Sequence, residues 1–286
     1  MSAPLLPAPP ALLYEPLLRR ALREDLGHAG DLTTDAVVSA DQWASAAVVA
    51  RRAGRVAGLE VALRAFTLLD AAIEIDYGSR DGEDAQAGGV LARVNGAARP
   101  LLTGERVMLN LLGRLCGIAT VTRDLVTAVK PHPAKVVCTR KTTPGLRALE
   151  KYAVRCGGGE NHRFGLDDAV LIKDNHVAIA GSVTEAVARV RRAVGHMVKV
   201  ECEVDSLEQL EQALAAGVDA VLLDNMDVDT LRRGVALARG RAITEASGGI
   251  TLQTIAAVAA TGVDLISVGW LTHSAPSLDV ALDIEV

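Results

Sequence analysis

Six short apolar runs, each but the last followed by a polar break and a helical stretch, fill the chain from residue 136 onward. VVC (136–138) precedes GLRALEKYAVRC, AVLI (169–172) precedes TEAVARVRRAV, and VKVECEV (198–204) precedes SLEQLEQALAAG. AVLL (220–223) precedes DVDTLRRGVALARG, AIT (242–244) precedes LQTIAAVAATG, and LISV (265–268) ends the series. Strands covered on both faces read as unbroken apolar runs, and parallel strands need a crossover between them. The alternation therefore predicts a parallel sheet covered by helices. Ser206, with Glu208 and Gln209 behind it, supplies a helix start, and Gly217 and Gly262 supply helix ends. A closed barrel has eight strands. Six runs predict an α/β barrel that is open and incomplete, or one with two further strands that the pattern does not show, with an open doubly wound sheet as the competing arrangement.

Polar residues close every run. The first ends in Thr139, Arg140 and Lys141, and the second in Lys173 and Asp174. The third carries Glu201 and Glu203, and the fourth ends in Asp224 and Asn225. The fifth ends in Glu245, then Ser247, Gly248 and Gly249; the sixth ends in Gly269, with His273 beyond. In a βα barrel the C-terminal ends of all strands open on one face, which is the active face. Charge delivered there from six strands is costly without a partner, so it points to a polar ligand.

The charge pattern narrows that ligand. The chain carries a net charge of -5, yet residues 139 to 176 hold Arg140, Lys141, Arg147, Lys151, Arg155, Arg163 and Lys173 together with His162. A basic cluster in an acidic protein reads as a site for a small anion, the alternative being a solvated helix face. An acidic chain with 2% aromatic residues excludes nucleic acid as a partner. The start, MSAPLLPAPPALLYEPLLRR, places no basic segment ahead of its apolar residues, so no secretory leader is expected, and no run reaches the length of a membrane span. Cys116, Cys138, Cys156 and Cys202 form no CxxC pair and fit free, buried thiols in a reducing cytoplasm.

Glu203 and Asp224 are carboxylates on adjacent strand ends, suited to a divalent metal, sugar hydroxyls or a developing cation, or to a salt bridge with Lys173 or Arg140. Oxygen-ligated magnesium carried in by a phosphorylated substrate suits them better than zinc. Ser247–Gly248–Gly249, after a strand and before a helix, offers backbone N–H groups to a phosphate or forms an ordinary tight turn; Gly269 supplies the other half of a phosphate site. No Gly-x-Ser-x-Gly, HExxH, P-loop or dinucleotide fingerprint is present.

Residues 1 to 115 differ in pattern. ASAAVVA (44–50) reads as a strand, and AIEIDY (72–77) and VLARVNG (90–96) alternate apolar and polar, as expected for a separate α+β domain with a half-exposed antiparallel sheet. Residues 103–130 read as two joining helices, with Arg106 an exposed position at the start of the first.

TRKTTPGLR, GGGENHRFGLDDAVLIKDNH, EVDSLEQ, VLLDN, EASGGI and SVGWLTHS together resemble the quinolinate phosphoribosyltransferase family, as do EDLGHAGDLTTDAV and TGERVMLNLLGRLCGIAT nearer the start. Cys138 and Trp270 stand where that family commonly has other residues. The resemblance implies an N-terminal α+β sandwich domain (1–115), an open α/β barrel with parallel strands (116–273), and a C-terminal segment (274–286) packing back on the first domain. It implies that quinolinate and phosphoribosyl pyrophosphate react, with Mg2+, to give nicotinate mononucleotide, pyrophosphate and carbon dioxide. It implies a homodimer, or a hexamer of dimers, with shared active sites. By it Arg140, His162, Arg163 and Lys173 meet the dicarboxylate, with Thr139 and Lys141 in the same pocket and Arg106 reaching in from the partner chain. Glu203 and Asp224 face the ribose and, with Lys141, form the catalytic set. Ser247, Gly248, Gly249, Gly269 and His273 line the phosphate side. A relative that uses a non-decarboxylated acceptor such as nicotinate, and a non-catalytic binder of phosphorylated metabolites, are the competing readings.

Overall fold

The computed structural model describes residues 6–285; the first five residues of the Pro-rich start and residue 286 lie outside them. A 3-10 turn (Ala11–Leu13) leads to α1 (Glu15–Leu26), α2 (Leu32–Val37), β1 (Trp43–Ala50), β2 (Gly54–Arg55), α3 (Leu59–Leu69), β3 (Glu74–Tyr77), β4 (Asp84–Ala85), β5 (Val90–Ala97) and α4 (Ala98–Ala128). There follow β6 (Lys135–Val137), α5 (Arg147–Cys156), β7 (Val170–Ile172), α6 (Asp174–Ala180), α7 (Val183–Ala193), β8 (Val200–Val204) and α8 (Leu207–Ala215). The chain ends with β9 (Ala220–Asp224), α9 (Val228–Ala238), β10 (Ile243–Ser247), α10 (Ile255–Ala259), β11 (Leu265–Ser267), α11 (Trp270–His273) and β12 (Val280–Glu285). Two units emerge. One holds the residues up to Arg123, Thr142–Gly158 and the residues from Leu271 on; the other holds Asp124–Lys141 and Gly159–Trp270.

The first unit is an α+β sandwich built on an antiparallel sheet of order β12-β1-β5-β3. β12 runs along β1 from Ser45 opposite Glu285 to Ala50 opposite Val280. α3 buries Leu59, Val61, Ala62, Leu63, Ala65 and Phe66. Its start is fixed by Gly58, at φ 73, and by the Asp81 carboxylate, which accepts the N–H groups of Gly58 (2.8 Å) and Leu59 (3.0 Å). The Tyr152 hydroxyl of α5 donates to the same carboxylate at 2.8 Å.

Where two helices are expected over residues 103–130, the structure has one, α4, of 31 residues. Gly113 and Gly117 do not break it, because they admit another stretch of backbone. A Cβ on Gly117 would stand 2.1 Å from the Pro276 carbonyl oxygen, and one on Gly113 would stand 2.8 Å from that of Leu278. The Leu278 N–H also donates to the Gly113 carbonyl at 2.9 Å. Arg106 consequently lies in the third turn of a long helix, exposed, and does not open a helix.

The second unit is the open barrel: one parallel sheet of order β6-β11-β10-β9-β8-β7. The first strand pairs with the last, and β6 and β7 are left as the edges. The crossover between them, with α5, counts with the first unit. A single bridge from Val137 to Glu160 extends the β6 edge.

Two Gly-Val-Asp turns, Gly217–Asp219 and Gly262–Asp264, lock the other end of the strands. Both glycines take positive φ (76 and 89). Asp219 N–H donates to the Val200 carbonyl (2.8 Å) while its carboxylate accepts the Val200 N–H (2.9 Å). Asp264 treats Thr244 the same way, at 3.1 and 2.8 Å. The carbonyls of Asp219 and Asp264 then accept from Ile243 (3.1 Å) and Lys135 (2.9 Å) on the opposite neighbours. One aspartate thus joins three strands. Despite the desolvation that opposes it, hydrogen bonds from Lys199, the Val200 N–H and Arg191 bring Asp219 down to about 2.

Candidate active site

Parallel strands end at one edge of their sheet, and the second unit brings Thr139–Lys141, Lys173, Glu203, Asp224, Ser247–Gly249 and Gly269 to that edge or just beyond it. β7, β8 and β9 are neighbours, so Lys173, Glu203 and Asp224 follow one another across the sheet. Lys173 Nζ stands 2.7 Å from Glu203 Oε2, and the Glu203 side chain is only 14% exposed. A carboxylate so far from water needs a partner, and the lysine supplies it. Asp224 accepts from Asn225 Nδ2 at 2.6 Å. Lys141 is exposed, and its N–H donates to Thr139 Oγ1 at 3.0 Å, which shapes the bend after β6.

His162 and Arg163 sit on the loop before β7, and that loop is tied to itself. Asp168 accepts the N–H groups of Phe164 (2.5 Å) and Gly165 (2.8 Å), and Arg163 Nη1 donates to the Ala169 carbonyl at 3.1 Å. The Arg163 N–H donates to His162 Nδ1 at 2.7 Å. Partial burial, and then the like charge of Arg140, draw the Arg163 guanidinium below its ordinary pKa, with Asp168 and Glu201 opposing. Two guanidinium groups that repel one another are stabilised by an anion between them, and carboxylates fit such forks bidentately.

The Ser247–Gly249 turn departs from expectation in one respect. No helix begins behind it: α10 starts at Ile255, after a turn in which the Thr251 N–H donates to Thr254 Oγ1 (2.9 Å). Gly248 and Gly249 hold φ 97 and 59, so backbone conformation replaces a helix start. A Cβ on Gly248 would meet Asn225 Oδ1 at 2.1 Å. Asn225, itself at φ 53, donates its N–H to the Ser247 carbonyl (2.9 Å), so the ends of β9 and β10 are joined at this turn. Trp270 Nε1 donates to the Ile250 carbonyl at 2.9 Å and anchors the far side.

Beneath these groups lies a buried trio. His162 Nε2 is 2.8 Å from Glu201 Oε2 and 3.7 Å from Glu245 Oε1. Glu245 is 1% exposed. Burial, reinforced by the Glu201 charge and offset by His162, pushes its carboxyl up to about 7. Ser267 Oγ, which donates to the Ala246 carbonyl (3.4 Å), tempers that shift but closes no hydrogen bond to Glu245. Nothing in residue spacing shows Glu201 and Glu245 as partners, since β9 separates their strands. The available signal is a glutamate within each strand, β8 reading VECEV and β10 ITEAS.

The basic stretch divides between the units. Arg147, Lys151 and Arg155 lie on α5 with the first unit, where Lys151 is fully buried and Arg147 Nε donates to Thr142 Oγ1 (3.0 Å). Arg140, His162, Arg163 and Lys173 fall in the other unit. Arg106 and His273 also belong to the first unit; His273 Nδ1 lies 2.6 Å from Ser274 Oγ. The four cysteines are free and buried, and desolvation pushes the thiols of Cys116 and Cys156 up to about 12. Among the described residues no helix is long and apolar enough to cross a membrane.

As a magnesium site, Glu203 and Asp224 offer the hard oxygen ligands the ion prefers, but each already meets a donor. An ion there would need further oxygens, from substrate and water. Among the described residues, the group of three side chains close enough to ligate one ion is His162, Glu201 and Glu245, whose ligand atoms lie within 4.8 Å of one another.

Residues 31–116 match the model of the quinolinate phosphoribosyl transferase N-terminal domain, and residues 118–283 that of its C-terminal domain. The chain is 47% identical over 275 residues to the probable nicotinate-nucleotide pyrophosphorylase [carboxylating] of Bacillus subtilis, covering 96% of this chain and 94% of that one. It is 49% identical over 275 residues to the nicotinate-nucleotide pyrophosphorylase [carboxylating] of Mycobacterium leprae, covering 93% and 95%. The crystal structure of NadC from Streptococcus pyogenes superposes with a TM-score of 0.94 at 42% identity, covering 98% of this chain and 100% of that one. By its two domains, over nearly their whole length, the chain belongs to the quinolinate phosphoribosyltransferase family.

Proposed function

We propose that this chain joins quinolinate to phosphoribosyl pyrophosphate, giving nicotinate mononucleotide, pyrophosphate and carbon dioxide, a step of NAD biosynthesis. One observation carries the reading. In a chain of this family, one parallel sheet ends in Lys173, Glu203 and Asp224, with Lys173 on Glu203, and Arg163 lies near enough to Arg140 to feel its charge. Adjacent carboxylates on a pyridine ring suit the cations, with Thr139 and Lys141 beside them. Glu203 and Asp224 face the ribose. As pyrophosphate departs, positive charge builds on the sugar, and a fixed carboxylate stabilises it. The ring nitrogen attacks the anomeric carbon and becomes a pyridinium. That cation accepts the electron pair left when the neighbouring carboxylate departs as carbon dioxide, and the ring carbon then takes up a proton. No covalent nucleophile is required; the pocket orients and balances charge. Ser247, Gly248, Gly249, Gly269 and His273 serve the phosphate of the ribosyl group.

Glu203 and Asp224 would hold a magnesium ion accompanying the pyrophosphate, and the ion would neutralise the leaving group. The enzyme works in the cytoplasm, consistent with its four free thiols. It is a homodimer or a hexamer of dimers, and Arg106 of the partner subunit completes each dicarboxylate pocket.

The test is direct. The protein is incubated with quinolinate, phosphoribosyl pyrophosphate and magnesium, and nicotinate mononucleotide is measured. Formation from quinolinate, and none from nicotinate or nicotinamide, is the expected result. Equal product from nicotinate would shift the reading to a non-decarboxylating transferase, and no product from any acceptor would refute it.

A further inference from the structure

The proposed reaction leaves Glu201 and Glu245 without a task. Both sit in the barrel strands beneath the cations, and three of their four carboxylate oxygens, Glu201 Oε1 and both of Glu245, are buried without a hydrogen-bond partner among the described residues. The fourth, Glu201 Oε2, meets His162 Nε2 at 2.8 Å. The opposite ring nitrogen of His162 accepts the Arg163 N–H at 2.7 Å. A ring nitrogen that accepts carries no proton, so the proton of the neutral ring sits on Nε2 and is donated to Glu201. These contacts form one line from strand to loop: Glu201, His162 ring, Arg163 backbone.

We propose that Glu201 is a positioning residue: it fixes the tautomer and rotation of His162 and, through the His162 ring, the backbone that carries Arg163 into the dicarboxylate pocket. A buried carboxylate is an effective clamp because breaking its one hydrogen bond leaves a charge with nothing to replace the bond. Glu245 backs the clamp. Its side chain lies against His162 and Glu201, the titratable groups that face it, with Ser267 the nearby polar one. Burial, with the neighbouring Glu201, pushes the Glu245 carboxyl up to about 7.

The inference rests on the proposed function only for what Arg163 binds, and the experiment separates the two. Histidine-selective 15N NMR of the substrate-free protein at pH 7.5 reads the His162 tautomer without any reaction. The expected pattern is a protonated Nε2 and an unprotonated Nδ1 in the parent, lost in Glu201→Gln. The opposite tautomer in the parent overturns the proposal even if nicotinate mononucleotide is made. If none is made, the NMR result still stands or falls alone.

Kinetics then tests the link to Arg163. Glu201→Gln and His162→Ala should each raise the KM for quinolinate about tenfold, with the KM for phosphoribosyl pyrophosphate changed less than about twofold. The double variant should be no worse than His162→Ala, because the two act as one unit. Additive losses, or losses shared equally between both substrates and kcat, mark Glu201 as merely structural and overturn the proposal. So does a stoichiometric divalent metal in the purified protein that Glu245→Gln removes, since His162 Nε2 would then be a metal ligand.

Discussion

Glu245 gives the clearest pH dependence of any residue in the molecule. Its carboxyl titrates near 7 in the folded chain, against about 4.3 when unfolded. A raised folded-state value means that the stability it contributes is fully present below about pH 4.3 and is lost as pH rises through 7. At about 1.4 kcal/mol per unit, the loss by pH 8 is on the order of 4 kcal/mol. Glutamine does not titrate, so Glu245→Gln should gain in melting temperature relative to the parent at pH 8 and much less at pH 5. The same difference at both values would show that Glu245 holds no proton. At the phosphate side, Gly248→Ala meets both an unfavourable φ of 97 and the Asn225 amide oxygen. It should raise the KM for phosphoribosyl pyrophosphate about tenfold or more, with quinolinate affinity by calorimetry within about twofold of the parent. At this scale the sequence spoke unevenly. Arg140, Lys173, Glu203 and Asp224 are legible because each ends an apolar run. Glu201 and Glu245 are not legible as partners, because what joins them is strand order. Lys151 looked like a pocket cation, but the burial of α5, invisible in a charge count, removes it.

Strands and most helices follow from short-range pattern, and their order does not. The apolar runs locate β6 to β11 within a few residues, since burial on both faces selects for them directly. That β6 pairs with β11 and not with β7 is written in no local signal. The continuity of α4 was hidden for a related reason. Gly113 and Gly117 weaken a helix in isolation, yet here they are the spaces into which Pro276 and Leu278 fit. The Gly-Val-Asp turns are the reverse case, a repeated motif whose purpose is plain once the sheet is seen. Asp264→Ala removes the acceptor for the Thr244 N–H and hydroxyl. It should cost about 1–3 kcal/mol of stability by denaturant unfolding, at an end of the sheet away from the substrate cations. Asp219→Ala should do the same, and because its carboxyl sits at about 2, that contribution exists above about pH 4 and fades as pH falls toward 2. An Asp219 variant with unchanged stability at pH 7 would contradict the locking role.

If active sites are shared between subunits, the consequence is sharp. Arg106→Ala and Lys173→Ala should each be nearly inactive. If Arg106 serves the neighbour's pocket, a mixed dimer has one site with both defects and one with neither. Equal mixing gives about half mixed dimers, so activity should recover to about a quarter of the parent value. Subunit exchange verified by mass spectrometry without recovery would place Arg106 in its own chain's chemistry or outside the site.

The sheet orders also govern how the molecule comes into being. β1, complete by Ala50, waits for β12 at the end of the chain, and β6 waits for β11. Neither sheet is complete before its last strand, β12 or β11, has been made. The apolar length of β1 and the edge of β6 stay available to wrong partners until then. Such distant pairings make folding slow and the half-made chain prone to aggregate. A chain cut just short of Val280 should therefore leave the first unit protease-sensitive, and the pairing of β12 with β1 is the event that commits that unit to its structure.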